Sequence, residues 1–357
     1  MIQSVATLHV ELTNIIANWR MLEACHHGQT GAVVKANAYG LGVAPVAQAL
    51  ARHGCTIFFV ATLEEAITLR AALPEVTIYV FQGLLRGEAD VYIAHRLRPI
   101  INTLQQLQDW APIEAATTLP AALHIDTGMQ RLGLDRALMN DAEIIRRIQS
   151  APLDMLMTHY ACASDLNHPM NAQQLARIQH VQRLLPHLRT SYGNSAAHFL
   201  PPAYHGDITR PGCALYGIQA TNQLTAIMRP VVRLSARILQ IRTIMQDDTL
   251  GYGATTPVTR GMRVATVGIG YADGIDRSAS HRLYGYIGAW RVPLLGRVTM
   301  DALCFDVSDL PASVLEAEQY ITLMDQRQTV DDLARIYGTI GYEVLSSLGQ
   351  RIQRVYD

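Results

Sequence analysis

From Ala32 to about residue 217, short β-branched or apolar runs alternate with segments whose apolar positions recur at helical spacing. The runs A-V-V-K (32–35), T-I-F-F-V-A (56–61), V-T-I-Y-V-F (76–81), L-R-P-I-I (97–101), A-L-H-I-D (122–126), L-D-M-L-M-T-H (153–159), T-S-Y-G (190–193) and C-A-L-Y (213–216) read as strands. Between them, A-P-V-A-Q-A-L-A-R-H, E-A-I-T-L-R-A-A-L and the stretch from Arg136 to Ser150 carry one apolar helical face each. Such alternation, with about eight strands, predicts an α/β chain whose βα units close into a (β/α)8 barrel. From about Met228 the texture changes to V-V-R-L-S-A-R-I-L-Q-I, M-R-V-A-T-V-G-I and R-V-P-L-L-G-R-V, punctuated by Gly and Asp. This predicts a β-rich C-terminal domain, with a helical segment from Thr329 to Leu348. The expected division is a barrel over residues 1–228 and a β-rich domain over 229–357.

Composition narrows the partners. The chain has 357 residues, of which 49% are hydrophobic and 17% charged, as in a packed globule, and its net charge is -1. Near-neutral charge gives no field to gather nucleic acid or anionic lipid, so a small molecule is the expected partner. The start lacks a basic region before an apolar core, and no later apolar run approaches membrane-spanning length, which predicts a soluble cytoplasmic protein. Five scattered cysteines without C-x-x-C spacing predict reduced thiols and no metal knuckle. In Cys25-His26-His27 adjacent side chains diverge, so that run is expected on the solvated surface.

One count changes the picture. Of 29 basic residues, Lys35 is the only lysine, so any chemistry needing an ε-amine must use it. In a parallel barrel the catalytic groups belong at the carboxyl ends of strands. Lys35 closes the first predicted strand, and D-T-G-M-Q-R-L-G, T-H-Y-A, G-N-S-A-A and T-R-P-G-C stand at the ends of the later ones. An amine among apolar neighbours loses proton affinity and becomes a nucleophile for a carbonyl. A lysine at a strand end can equally snorkel to water.

The ordered motifs A-V-V-K-A-N-A-Y-G, H-I-D-T-G-M-Q-R-L-G, M-T-H-Y-A, G-N-S-A-A, R-P-G-C-A-L-Y-G, G-Y-A-D-G and G-R-V-T-M-D run from residue 32 to residue 301. In that order they resemble the alanine racemase family. The resemblance implies pyridoxal 5'-phosphate held on Lys35 as a Schiff base, and a homodimer with shared active sites. It implies a phosphate site made by Tyr39, Ser195, Gly212 and Cys213, and Arg210 facing the pyridine nitrogen. Without the motif, Arg210 would read as a barrel-end arginine paired with a carboxylate such as Asp207. Racemisation needs acid/base groups on both faces of Cα. The resemblance assigns these to Lys35 and to Tyr271 of the partner chain, with His159 linking that tyrosine to Arg210. A phenol has a pKa of about 10 and needs positive charge or hydrogen bonds to act as a base. Arg131 and the Met300 N–H would bind the substrate carboxylate, with Asp301 supporting the turn.

The chain departs from the family at two places. His124 stands where many members have a CO2-carbamylated lysine that positions the arginine equivalent to Arg131, so Arg131 must be oriented otherwise, by His124, an acidic neighbour or an anion. Gln350 stands where some relatives place a phosphate-binding tyrosine. Alanine is the family's default substrate, and serine or another small amino acid fits the same chemistry. Three rivals use the same lysine: a non-catalytic pyridoxal-phosphate carrier, a decarboxylase of the same fold and a cofactor-free Schiff-base aldolase. Tyr271 and the second domain speak against the carrier, Arg131 and the absence of a cysteine in the G-Y-A-D-G turn against the decarboxylase, and visible absorbance of the purified protein would separate the aldolase.

Overall fold

The computed structural model describes residues 4–223 and 228–357; residues 1–3 and 224–227, the latter beside the expected domain junction, lie outside the described residues. The chain divides into two compact units, Asn14–Arg229 and a second built from Met1–Thr13 with Pro230–Asp357.

The first unit is the barrel. Its parallel strands are Gln29–Thr30 continuing into Ala32–Val33, then Ile57–Val60, Thr77–Val80, Arg98–Ile101, Ala121–Asp126, Leu153–Met157, Arg189–Ser191 and Ile208–Thr209. The wall closes where the Gly31 and Val33 N–H groups donate to the Thr209 and Pro211 carbonyls, both at 2.9 Å, and where the Arg210 N–H donates to the Gly193 carbonyl at 2.8 Å. Apolar strands such as Ile57–Val60 are buried throughout, because helices cover one face and the barrel interior the other. The helix Val43–Arg52 turns Val46, Ala47, Ala49 and Leu50 inward. Each fully buried large apolar side chain contributes roughly 1.5–3 kcal/mol, so the barrel is held chiefly by this layer.

Two readings of the barrel change. The eighth strand is Ile208–Thr209, and Cys213–Tyr216, expected as a strand, forms a 3-10 helix after Pro211 and Gly212. Its four residues are all buried, and a short continuous apolar run does not distinguish strand from buried helix by period. The first strand stops at Val33, short of Lys35. Ala36, Asn37, Ala38 and Tyr39 then take left-handed φ values of 52–55°.

Polar groups plug the amino-terminal end of the barrel. Asp154 accepts from the Tyr79 hydroxyl at 2.8 Å and from Arg98, and Arg189 reaches it at 3.3 Å. Behind the eighth strand, His26, His198 and His205 meet with ring centroids 5.4–6.4 Å apart. His26 is therefore buried, contrary to its expected surface place, and its Nε2 lies 2.8 Å from the Gly206 carbonyl. Residue-by-residue divergence in Cys25-His26-His27 is real, but it sends His26 inward between Cys25 and His27, which are exposed.

In the second unit, antiparallel strands form a closed ring in the order Arg263–Val267, Leu303–Asp306, Trp290–Leu295, Tyr284–Ile287, Tyr320–Met324, Val232–Thr243 and back to Arg263–Val267. The N-terminal strand Ala6–Val10 pairs antiparallel with Val232–Thr243 and parallel with Gln353–Tyr356. Residues 4–13 thus belong to this unit, although sequence order places them with the barrel. Hydrogen bonding to strands more than 200 positions away is invisible to local periodicity. The expected C-terminal helical segment is two helices, Val330–Tyr337 and Gly341–Ser346, broken at Gly338, which has φ 81°. Among the described residues, no helix is long and apolar enough to cross a membrane.

The buried histidines predict an acid-sensitive fold. Burial holds His198 down to about 3 and lowers His205. An unfolded chain protonates both near pH 6.5, so it binds more protons than the folded one below that pH. Stability should therefore fall as pH drops through about 6.5 and keep falling toward the folded values, by about 1.4 kcal/mol per pH unit for each histidine. Urea unfolding between pH 7.5 and 5 measures the slope. His198→Gln should flatten it by about one proton, and an unchanged slope would contradict the assignment.

Candidate active site

At the carboxyl ends of the barrel strands, the sequence places one lysine, two histidines and two arginines in a common field. Lys35 lies with Nζ 5.8 Å from the centre of the Phe81 ring, which stacks on Phe59. Burial lowers its pKa, the nearby Arg131 lowers it further, and Glu65 opposes both. Glu65 also fixes the segment that follows the lysine. It takes the Ala36 N–H at 2.7 Å on one carboxylate oxygen and the Ala61 N–H at 2.8 Å on the other. Glu65 is held in turn by a capping box with Thr62 at the start of the helix Leu63–Ala72.

Arg210 extends from the end of the eighth strand and is 2% exposed. It donates to the carbonyls of Ser191 and Thr158, both at 2.7 Å, and to the Ser191 hydroxyl. All these partners are neutral. Asp207, the carboxylate that might have paired with it, is instead bound by the N–H and hydroxyl of Thr190, each at 2.7 Å. Burial brings the Arg210 pKa down to about 9, which leaves it charged at neutral pH. Its charge, after burial, disfavours protonation of both histidines. His159 is held well below its usual range, and His124 falls to about 3.

His124 has a defined tautomer. Asn102 Nδ2 donates to the carbonyls of Phe81 and Ile100 at 2.9 Å, which turns its Oδ1 toward His124 Nδ1 at 2.8 Å. Nδ1 must therefore carry the proton, leaving Nε2 as an acceptor. Arg131 is exposed in the loop after the fifth strand and has no hydrogen bond or carboxylate partner among the described residues. That loop is ordered by Asp126, whose carboxylate accepts the N–H groups of Gly128, Met129 and Gln130 at 2.7–2.8 Å.

A second cluster suits an anion. Ser195 stands at the start of the 3-10 helix Ala196–Phe199, but its hydroxyl does not cap that helix. It accepts from the N–H groups of Gly212 and Ala214 at 2.8 and 3.3 Å. Gly212 precedes the 3-10 helix Cys213–Tyr216, and a Cβ on it would lie 2.5 Å from the Tyr39 hydroxyl. Only glycine lets the backbone and that hydroxyl approach so closely. Tyr39 packs on Tyr216 with centroids 4.6 Å apart. The structure thus brings Tyr39, Ser195, Gly212 and Cys213 together, and their hydroxyl and N–H donors have the chemistry of a phosphate cradle.

The remaining expected site residues lie in the β-rich unit and are close to one another there. Tyr271 opens a turn whose N–H groups at 271 and 272 donate to the carbonyls of Thr299 and Met300 at 2.9 and 3.1 Å. A Cβ on Gly270 would lie 2.2 Å from the Thr299 oxygen, so this contact of two turns requires glycine. Tyr271 is 43% and Met300 51% exposed, and Asp301 is exposed beside them.

Sequence reading missed Asn102, Glu65 and Arg351, which donates to Asp273 and Asp301. Asn102 directly follows the fourth strand, where the barrel rule could have found it. T-L-E-E offered a capping-box signal for Glu65, though not its reach to Ala36. Nothing local marks Arg351.

Family comparison agrees with this geometry. Residues 10–220 match the family model for the alanine racemase N-terminal domain, and residues 231–356 match that for its C-terminal domain. The chain is 42% identical to an alanine racemase of Rhizobium meliloti, covering 98% of this chain and 96% of the relative. It is 40% identical to a biosynthetic alanine racemase of Agrobacterium fabrum over 99% of this chain and 94% of that one. A crystal structure of the Bartonella henselae alanine racemase with covalently bound pyridoxal phosphate superimposes with a TM-score of 0.90 at 32% identity, covering 99% of this chain and all of that one. With both domains matched in order along nearly its whole length, the chain belongs to the alanine racemase family of isomerases.

Proposed function

We propose that this chain interconverts L- and D-alanine with pyridoxal 5'-phosphate on Lys35, through two bases, and that each active site of a homodimer receives Tyr271 from the other chain. One observation carries the reading: the only lysine, with its pKa lowered, shares the barrel mouth with a backbone phosphate cradle and a buried arginine that has no carboxylate. The family and the covalent cofactor of the Bartonella henselae relative support it.

The residues present fit the cofactor. Tyr39, Ser195 and the N–H groups of Gly212 and Cys213 would hold its phosphate, Lys35 its aldehyde carbon and Arg210 its pyridine nitrogen. Bound there, the cofactor supplies an electron sink that acidifies the substrate's α-hydrogen. Because Arg210 stays charged, it would donate to that nitrogen and favour its unprotonated form, which would limit the sink and with it side reactions. Arg131 and the Met300 N–H bind the substrate carboxylate, and Asp301 supports that turn. Lys35 takes or returns the α-hydrogen on one face, and Tyr271 does so on the other. His159, neutral beside Arg210, accepts the role of hydrogen-bond partner to the tyrosine. His124 presents Nε2 as the acceptor available to Arg131.

Borohydride reduction followed by peptide mapping should place the pyridoxyl group on Lys35. Label at another residue, or full cofactor absorbance in Lys35→Ala, would refute the assignment. Activity should be independent of bicarbonate, since His124 cannot be carbamylated and no second lysine exists. Stimulation by bicarbonate that vanished on degassing, or a mass increment for a carbamate, would contradict this.

Sharing of the site is tested by mixing. Lys35→Ala and Tyr271→Phe homodimers should each be nearly inactive. In a hybrid dimer one site carries both substitutions and the other carries neither. Random exchange of equal amounts makes about half the dimers hybrid, so roughly a quarter of wild-type activity should return. Absence of recovery, with exchange verified by tagged subunits, would place Tyr271 in its own chain's site or outside catalysis.

A further inference from the structure

Within the β-rich unit, Tyr271 and Met300 stand on turns some thirty positions apart, yet they are bound to a single side chain from the C-terminal segment. Arg351 Nε and Nη2 donate to the two carboxylate oxygens of Asp273 at 2.9 and 3.0 Å. Its Nη1 donates to Asp301 Oδ1 at 2.8 Å. Asp273 lies two residues after Tyr271, is buried, and also accepts the Gly270 N–H at 3.0 Å. Asp301 directly follows Met300. The Gly349 N–H donates to the Asp273 carbonyl at 3.0 Å, so the segment carrying Arg351 is itself docked on the first turn.

We propose that Arg351 is a positioning residue for racemisation, fixing the Tyr271 turn and the Met300–Asp301 turn as one rigid unit that presents the second base and a carboxylate-binding N–H in constant register. The inference rests on the reading of Tyr271 as a base. A planar guanidinium can span two carboxylates in fixed directions, bidentate on one and single on the other, and lysine's point charge cannot. The backbone bonds alone leave a hinge, because both donors, at 271 and 272, lie on one short turn. Anchoring Asp273 and Asp301 to one fork adds a third point away from that line and suppresses rotation about it. The Arg351 side chain is 55% exposed, so its pair with the exposed Asp301 contributes little to global stability, whereas Asp273 is only 7% exposed and loses a partner when the fork is removed. Its consequence is local geometry, where an error of about 1 Å can cost on the order of 100-fold in rate.

The test separates positioning from stability by comparing two reactions of the holoenzyme in D2O. Exchange of the α-hydrogen of one alanine enantiomer without inversion requires only Lys35, which removes a proton and returns a deuteron to the same face. Inversion requires both bases. Arg351→Met should lower racemisation by about 10- to 100-fold and raise the ratio of exchange to inversion by a similar factor. Cofactor absorbance should be retained, and both reactions are read well below the melting temperature, which is lowered where the buried Asp273 loses its partner. Amide exchange at Tyr271 and Ala272 should accelerate. If exchange and inversion fall together, or neither changes, Arg351 does not position the base and the proposal is overturned. Should Arg351→Met fail to fold, Arg351→Lys keeps the charge, loses the fork and is judged by the same ratio. Tyr271→Phe is the control. If it leaves the ratio unchanged, the assignment of Tyr271 fails and the inference falls with it; if it raises the ratio while Arg351→Met does not, only the inference falls.

Discussion

A buried cation with no carboxylate partner among the described residues sets the electrostatics of the barrel mouth. Arg210 places its two terminal Nη groups on the Ser191 and Thr158 carbonyls and the Ser191 hydroxyl, which accept hydrogen bonds but neutralise no charge. In a medium of low effective dielectric, that charge acts on its neighbours far more strongly than it would in water. Burial first, and this charge after it, disfavour protonation of His159 and His124, and the exposed Arg131 adds to the same positive field. Lys35 gives up its proton more readily in these surroundings. A site organised in this way favours an anionic occupant and an amine able to attack a carbonyl, which is the chemistry expected of the family.

The scaffold joins Lys35 to the next helix by a strained connection. Four consecutive non-glycine residues, Ala36 to Tyr39, are left-handed, at a cost of roughly 1–2 kcal/mol each. Glu65 accepts the Ala36 N–H, the Asn37 side chain accepts the Val43 N–H at 2.8 Å, and Tyr39 packs against Tyr216. These contacts offset the strain, and they bring the Tyr39 hydroxyl to Gly212 while Lys35 points into the mouth. One tight turn therefore carries both Lys35 and Tyr39, the amine and the hydroxyl proposed for the cofactor.

Along the chain, the alternation of strands and helices specified the barrel and the change to a β-rich domain, because both architectures impose local periods. The lone lysine and the residues at strand ends pointed to one end of the barrel as the place for chemistry, since a parallel barrel presents its carboxyl ends to a ligand. Tertiary structure decided what depends on partners distant in sequence. It moved the eighth strand to Ile208–Thr209, where pairing with residues 29–33 closes the wall. It assigned the N-terminal strand Ala6–Val10 to the β-rich unit through pairing near residue 234. It also turned His26 inward, released Arg210 from Asp207 and set the His124 tautomer through Asn102. The physical reason is common to these cases: periodicity records which face of an element is buried, whereas charge state, tautomer and strand pairing are set by groups that meet only after the chain has folded.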